Sequence, residues 1–379
     1  MTPAGRLAHL RPSPIRAISE GAPPDCVPMG LGEPGWALPE PARRALASQE
    51  GPCSYGPNAG LPELQAAVAA RFDAQPGEVL LGCGSQGALY ALFQAWLEPG
   101  AKVLVPDPGF VAYPILARLA GAEPVGYALA PDFSLDPAAF RAALDRAPGV
   151  RMAVVNHPGN PTGAGTTARA LAEVAEAAEA RGVLLLSDEV YRELCLGERA
   201  PSLRDVARTG LVLGSVSKAW GAPGLRVGWA VGDPAWLAPA RMVHAYMVTA
   251  PARPAQLAAL ALLEASDTVL AEAREHLRVR WEAFREAYSE AFGTVPRPAA
   301  GGFYHWQPLP ASALDDPLAF CLRLRDQGGV VVVPGLAFGE GGRGYLRLSY
   351  AGHPDRIREG VRRLAPFLRH PAPPEIRVP

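Results

Sequence analysis

The sequence predicts an α/β protein: a large domain on a mainly parallel sheet between helices, with a smaller α+β domain. Three observations carry this. From about residue 78 to 230, apolar runs of strand length alternate with helical stretches, the pattern of parallel strands joined by crossover helices. Turns rich in glycine and small residues follow several of these runs, at the strand ends where open α/β sheets bind ligands. In the last hundred or so residues the runs shorten to Gly301-Gly302-Phe303-Tyr304-His305-Trp306, Gly329-Val330-Val331-Val332-Val333-Pro334 and Gly344-Tyr345-Leu346-Arg347-Leu348-Ser349-Tyr350, with a closing helix over 355–368.

Composition narrows the class. A chain of 379 residues, 49% hydrophobic and 19% charged, has room for two domains and a large core. Its net charge of −1 comes without a basic or acidic block, so nothing points to nucleic acid or a membrane surface. No apolar run is long enough to span a bilayer, and Arg6, His9 and Arg11 stand among prolines where a signal peptide would have an apolar core. Cys26, Cys53, Cys83, Cys195 and Cys321 are scattered, odd in number and free of C-x-x-C pairs, which argues against a disulfide framework or a metal site. A reduced, cytoplasmic protein is expected.

Residues 1–30 are proline-rich and weakly patterned and read as a surface arm. Gly30-Leu31-Gly32-Glu33-Pro34-Gly35-Trp36 reads as a turn, and Tyr55-Gly56-Pro57-Asn58-Ala59-Gly60 as a loop ahead of a helix with Pro62 in its first turn. Residues 78–81 form a strand. Then come Gly82-Cys83-Gly84-Ser85-Gln86-Gly87 and a helix with Leu89, Leu92, Phe93 and Trp96 on one face. Glycines before a helix leave free N–H groups at its positive end, where a phosphate binds. The same turn fits G-x-G-x-x-G, and Asp107 lies 20 residues after Gly87, so a dinucleotide-binding dehydrogenase is a rival reading. Against it, Asp107 sits in the turn Pro106-Asp107-Pro108-Gly109.

Residues 101–105 are a second strand. Residues 150–155 are another, ending in the polar turn Asn156-His157-Pro158-Gly159-Asn160-Pro161-Thr162-Gly163, where Asn160-Pro161 is a candidate cis peptide. A helix over 166–181 stops at Gly182. The strand 183–186 is closed by Ser187-Asp188-Glu189-Val190-Tyr191. A carboxylate pair at a buried strand end needs partners, which marks it as functional.

Among 36 lysines and arginines only Lys102 and Lys218 are lysines. A guanidinium serves for surface charge but cannot act as an amine nucleophile, so a lysine retained in such a chain is a candidate for covalent chemistry. Lys102 reads as a surface charge. Lys218 follows the buried strand 211–216 and is surrounded by small residues that let a ligand approach the backbone. The dehydrogenase reading gives this segment no task. Residues 255–292 read as one long or broken helix leading away from the sheet. Arg347 alternates with Leu346 and Leu348 and so faces opposite them.

Ser215-Val216-Ser217-Lys218, with Arg226 eight residues on and Gly228 close behind, resembles the Schiff-base segment of the class I/II pyridoxal-phosphate aminotransferases of fold type I. The resemblance covers about residues 30–350 through five separated motifs in family order; Asn-Pro-x-Asn-Pro-Thr-Gly is matched except that His157 precedes Pro158. It implies a seven-stranded sheet, a large domain over 40–270, and a small domain formed by an arm over 1–39 and by 271–379. It implies pyridoxal 5'-phosphate as cofactor, bound to Lys218 as an aldimine, with Lys218, Asp188 and Tyr191 catalytic. Asp188 would keep the pyridine nitrogen protonated, Asn160 and Tyr191 would bond the phenolic oxygen, and Phe110 would stack on the ring, with Tyr113 as the alternative. Gly84, Ser85, Gln86, Ser215, Ser217 and Arg226 would hold the phosphate, joined by Tyr55 from the partner subunit of a homodimer with shared active sites. Gly32, Asn160 and Arg347 would bind the substrate, Gly32 and Arg347 at its carboxylate. Glu189 and His157 are structural in this scheme.

The implied reaction is ping-pong transfer of an amino group between an L-amino acid and a 2-oxo acid, with no metal, nucleic acid or membrane involved. A cysteine-conjugate β-lyase fits the same residues. A regulator of this fold would need an appended DNA-binding domain, for which the N-terminus has no room. A dicarboxylate substrate would call for a second arginine that the sequence does not single out; Trp36 and Tyr304 suggest an apolar or aromatic side chain instead.

Overall fold

The computed structural model describes residues 4–7, 10, 14–50 and 52–368, so His9 and Arg11 of the expected arm lie outside the described residues. The chain opens with helix α1 (Pro14–Glu20), strand β1 (Val27–Pro28) and helices α2 (Glu40–Ala47) and α3 (Pro62–Ala70). The alternating region runs β2 (Val79–Cys83), α4 (Gly84–Trp96), β3 (Lys102–Asp107), α5 (Ala112–Leu119), β4 (Glu123–Ala128), α6 (Pro137–Arg146), β5 (Val150–Asn156), α7 (Ala168–Glu179), β6 (Leu184–Asp188), α8 (Leu203–Val206), β7 (Leu211–Ser215) and β8 (Val227–Val231). Then follow α9 (Pro234–Val248), α10 (Arg253–Glu264), α11 (Ser266–Phe292), β9 (Tyr304–Pro308), α12 (Pro317–Asp326), β10 (Val330–Val331), β11 (Val333–Pro334), β12 (Tyr345–Ser349) and α13 (Pro354–Leu368).

Seven strands form the expected large sheet, in the order β2-β8-β7-β6-β5-β3-β4. Strands β3 to β7 pair in parallel, and β8 is antiparallel to both its neighbours, β2 and β7. The inner strands are buried and apolar with little alternation, as suits strands covered on both faces, whereas the edge strand β4 keeps only Tyr127 buried. Register brings Cys83 opposite Val227, Ser215 opposite Gly228, and Asn156 opposite Asp188, so these residues line up along one edge of the sheet. The helices obey ordinary start signals: Asp136 and Thr167 cap α6 and α7 by accepting from backbone N–H groups, and Pro137 follows its cap directly.

The 255–292 stretch is two helices, broken at Ala265. Ser266 Oγ turns back onto Leu263 O at the break, and Trp220 Nε1 donates to it. The surface-arm expectation is corrected: Ile18, Val27 and Met29 are fully buried, and β1 pairs in parallel with β10. The signal is the short alternation Val27-Pro28-Met29, with the exposed proline between two buried side chains. Strands β11, β12 and β9 make a three-stranded antiparallel sheet. Among the described residues no helix is long and apolar enough to cross a membrane, and no group of three or more His, Cys, Asp and Glu could hold a metal ion.

Candidate active site

A cavity of about 340 Å³ opens along the sheet edge, and it gathers Gly32, Ser85, Gln86, Phe110, Asn160, Asp188, Tyr191, Ser215, Ser217, Lys218, Arg226 and Arg347. Of the expected site residues, Gly84 and Tyr55 do not line it.

At one end the chain builds an anion cradle. Helix α4 starts at Gly84, which has φ +71°, and a Cβ there would run into the Arg226 guanidinium. A Cβ on Gly228 would strike the backbone N of Ser85. Two glycines therefore let β8 and Arg226 lie against the first turn of α4, where Gly84 N donates to Arg226 O at 2.9 Å and Ser85 and Gln86 line the cavity. Arg226 itself has a left-handed backbone (φ 55°) after a single 3-10 turn, and its Nη1 donates to Pro223 O at 2.8 Å. Ser217 N donates to Ser215 Oγ at 2.9 Å, which orients that hydroxyl.

Across the cavity Asp188 is buried at the end of β6. Tyr113 Oη donates to its Oδ2 at 2.7 Å and Val190 N to its Oδ1 at 3.3 Å. Burial raises the Asp188 carboxyl; the bonds from Tyr113 and Val190 and the charge of Lys218 pull it back down. Asn156, which no sequence argument singled out, braces two expected residues. Its Nδ2 donates to Asp188 O at 2.9 Å and its Oδ1 accepts from Asn160 N at 2.9 Å. The signal was its place as the last residue of a buried strand. Phe110 and Tyr113 meet edge-on at 5.5 Å, both on the cavity wall. Asn160-Pro161 is cis, as are His157-Pro158 and Asp107-Pro108.

Lys218 Nζ donates to Gly32 O at 2.6 Å and stands 5.7 Å over the Tyr191 ring. Burial lowers its pKa; Tyr304 and Glu33 act to raise it, and Arg347 and Arg226 to lower it further. Arg347 Nη1 donates to Asn160 Oδ1 at 2.8 Å and its Nη2 to Gly30 O at 2.6 Å. Its guanidinium lies between the rings of Tyr304 and Phe338, 4.5 and 4.7 Å from their centroids. Tyr191 Oη meets Tyr304 Oη at 2.7 Å rather than the Asn160 side chain. Tyr304 is thus a wall of the site, whereas Trp36 stacks on His276 beneath Arg280 and lines no part of the cavity.

Neighbouring groups turn elsewhere. Glu189 accepts from Ser187 Oγ and Leu203 N, away from the cavity, and His157 is buried and pushed down to about 4 by burial. Tyr55 is 85% exposed. Asp107 Oδ1 accepts from Gly341 N, and four strands separate β2 from β3. The dinucleotide fingerprint requires a βαβ unit with a free acidic residue after it, so that reading falls.

Pyridoxal 5'-phosphate needs an anion cradle, a buried carboxylate and an accessible amine within one pocket, and the donor set fits. The glycine-spaced cradle, Lys218 and Asp188 line the same cavity.

A family profile described as aminotransferase class I and II matches residues 24–364. An aspartate/prephenate aminotransferase of Thermus thermophilus is 34% identical, over 96% of this chain and 98% of its own. An aspartate aminotransferase of Pyrococcus horikoshii is 30% identical, over 96% and 97%. Among solved structures, a single mutant of Thermus thermophilus aspartate aminotransferase superposes with a TM-score of 0.87 at 32% identity, covering 97% of this chain and 100% of that one. N-succinyldiaminopimelate aminotransferase from Mycobacterium tuberculosis gives 0.86 at 28%, over 97% and 100%.

Proposed function

The chain belongs to the class I and II aminotransferase family, and from that premise we propose that it is a transaminase using pyridoxal 5'-phosphate. It moves an amino group between an L-amino acid and a 2-oxo acid in a ping-pong cycle. When bound, the cofactor supplies an aldehyde that bonds to amines and a ring that accepts electrons. The observation that carries the reading is the position of Lys218. The half-buried amine of one of only two lysines lies in the same cavity as an anion cradle, a buried carboxylate and the buried guanidinium of Arg347.

Lys218 would hold the cofactor through Nζ. With an amino acid bound, the Lys218 amine would take the proton from the substrate Cα and later give it back, first as general base and then as general acid. Its lowered pKa supports that role, because more of the amine is unprotonated near neutral pH than in an exposed lysine. Asp188 would hold the ring nitrogen in its protonated form; a cation beside it would favour the ionised form of a carboxyl that burial otherwise raises. Phe110 would stack on the ring, and Asn160 and Tyr191 would bond its phenolic oxygen. Gly84, Ser85, Gln86, Ser215, Ser217 and Arg226 hold the phosphate. Arg347 grips the substrate carboxylate with two guanidinium N–H groups, beside Asn160 and Gly32.

Tyr55, bare in one chain, completes the phosphate site of a partner subunit in a homodimer. Residues 40–270 form the large domain, and 1–39 with 271–379 the small one. Five free thiols suit work in the cytoplasm. The donor is open to aspartate, named for the Pyrococcus and Thermus relatives, and to amino acids with other side chains.

The test is an absorption spectrum of the purified protein before and after borohydride, with peptide mapping. A yellow protein, bleached with the pyridoxyl group fixed on Lys218, is expected, and Lys218→Ala should lower turnover by at least about 10²-fold. A colourless protein that takes up no added pyridoxal phosphate overturns the reading. Release of a 2-oxo acid without an acceptor points to β-elimination instead of transfer.

A further inference from the structure

A second cavity, of about 1080 Å³, adjoins the first and shares Ile15, Leu31, Gln86 and Phe110 with it. The place of this neck is informative. Leu31 lies between Gly32, whose carbonyl receives the Lys218 amine, and Gly30, whose carbonyl receives Arg347. An amino acid gripped by its carboxylate at Arg347, with its Cα at Lys218, therefore has its side chain next to Leu31 and the neck. Three of the four shared residues are apolar.

Past the neck the walls include Val105, Val111, Ile115, Leu116 and Phe338. The charged groups there are Glu20, Glu33 and Asp107 against Arg118. Glu33 is close enough for its charge to act on the Lys218 amine. Among the described residues, the cations lining the inner cavity are Lys218, Arg226 and Arg347, and each already has its own partner: Gly32 O, Pro223 O, and Asn160 with Gly30 O.

We infer that the outer chamber receives the substrate side chain and selects an uncharged, apolar one of leucine to phenylalanine size over aspartate. This rests on the aminotransferase reading and goes further than it. An apolar side chain loses water against Ile15, Leu31 and Phe110, which favours binding. The distal carboxylate of aspartate loses its hydration at the same neck and meets the charge of Glu33, so the site discriminates by attraction and by repulsion together.

The experiment mixes the holoenzyme with L-phenylalanine, L-leucine or L-aspartate, without an oxo acid, and follows the loss of the cofactor's visible absorbance. Phenylalanine and leucine should convert it with a second-order rate constant at least about tenfold above that of aspartate. Glu33→Gln should raise the aspartate value relative to phenylalanine roughly two- to fivefold, the size of a partly exposed charge contact. An aspartate rate equal to or above that of the apolar pair overturns the inference while leaving the transaminase reading intact. An unchanged ratio in Glu33→Gln counts against the repulsive part. A holoenzyme that converts with none of the three overturns the inference, and the borohydride mapping of Lys218 decides the transaminase reading separately.

Discussion

Asp188 and Glu189 are adjacent, both buried, and directed to different surroundings. Asp188 reaches the cavity and Tyr113, whereas Glu189 meets Ser187 Oγ, Leu203 N and, at 3.7 Å, Arg192 Nε. Burial pushes Glu189 up from an ordinary 4.5 to about 7, although the Leu203 bond and Arg192 favour its ionised form. Between those two values the folded protein keeps a proton that the unfolded chain has released. The stability that Glu189 contributes is therefore fully present below about 4.5 and is lost as pH rises through 7. At about 1.4 kcal/mol per pH unit the loss has a ceiling near 3 kcal/mol. Glu189→Gln keeps an acceptor for Leu203 N and removes the charge, so its melting temperature should fall less than wild type between pH 5 and 8. Equal slopes would mean that Glu189 is ionised in the folded protein throughout. At this scale the sequence was most legible where chemistry restricts residue choice. Lys218 stood out because arginine cannot replace an amine nucleophile. Asn156 did not, because an asparagine that braces two neighbours through its amide looks in sequence like any polar strand end. Trp36 looked like a substrate contact because it follows Gly32 closely, but the turn carries its ring under Arg280.

Strand and helix alternation was legible from 78 to 230, yet the direction of β8 was not. A fully buried strand has the same apolar pattern whether it runs with or against its neighbours. That direction matters, because it sets the start of β8 beside the ends of β2 and β7 and so places Gly228 against the first turn of α4. The burial of the N-terminal segment was missed for a related reason: a two-residue strand such as β1 is too short to show a period. The contact between β8 and α4 yields a prediction about an element rather than a side chain. Gly228→Ala puts a methyl group where Ser85 N and the Gly84 carbonyl carbon now lie, and backbone on both sides leaves it nowhere to go. The first turn of α4 must shift, and the N–H groups of the proposed phosphate site shift with it. The variant should fold, with its apparent Kd for pyridoxal phosphate raised at least about tenfold, the loss expected when charge-assisted bonds are misaligned. Unaltered affinity would mean that the cradle does not depend on this approach.

At the scale of the whole molecule, one side chain ties the two halves of the substrate site together. Arg280, buried on α11, donates to Ala351 O and Gly35 O, and Gly35 N donates to Ala351 O. The turn bearing Gly32 and the strand bearing Arg347 are thereby held to one helix. The phosphate end has no such closure within a single chain. Tyr55 is 85% exposed, and α9 presents Met242, Tyr246 and Met247 at 65, 91 and 38% exposure. Met247 reaches within 3.7 Å of the Cβ position on Gly87, in the first turns of α4. Large apolar side chains left bare on one helix mark a surface that meets another protein, and this one adjoins the first turns of α4, where the proposed phosphate site lies. Complementation separates a tyrosine donated across the interface from one used within its own chain. Lys218→Ala has no amine, and Tyr55→Ala should bind cofactor poorly and turn over slowly when cofactor is scarce. If Tyr55 acts across the interface, a hybrid dimer contains one whole site, with Lys218 from one chain and Tyr55 from the other. Random re-pairing of equal amounts should then restore roughly a quarter of wild-type activity, because half the dimers are hybrids with one intact site of two. If Tyr55 serves its own chain, no pairing yields an intact site, and the mixture should be no more active than the average of its two components.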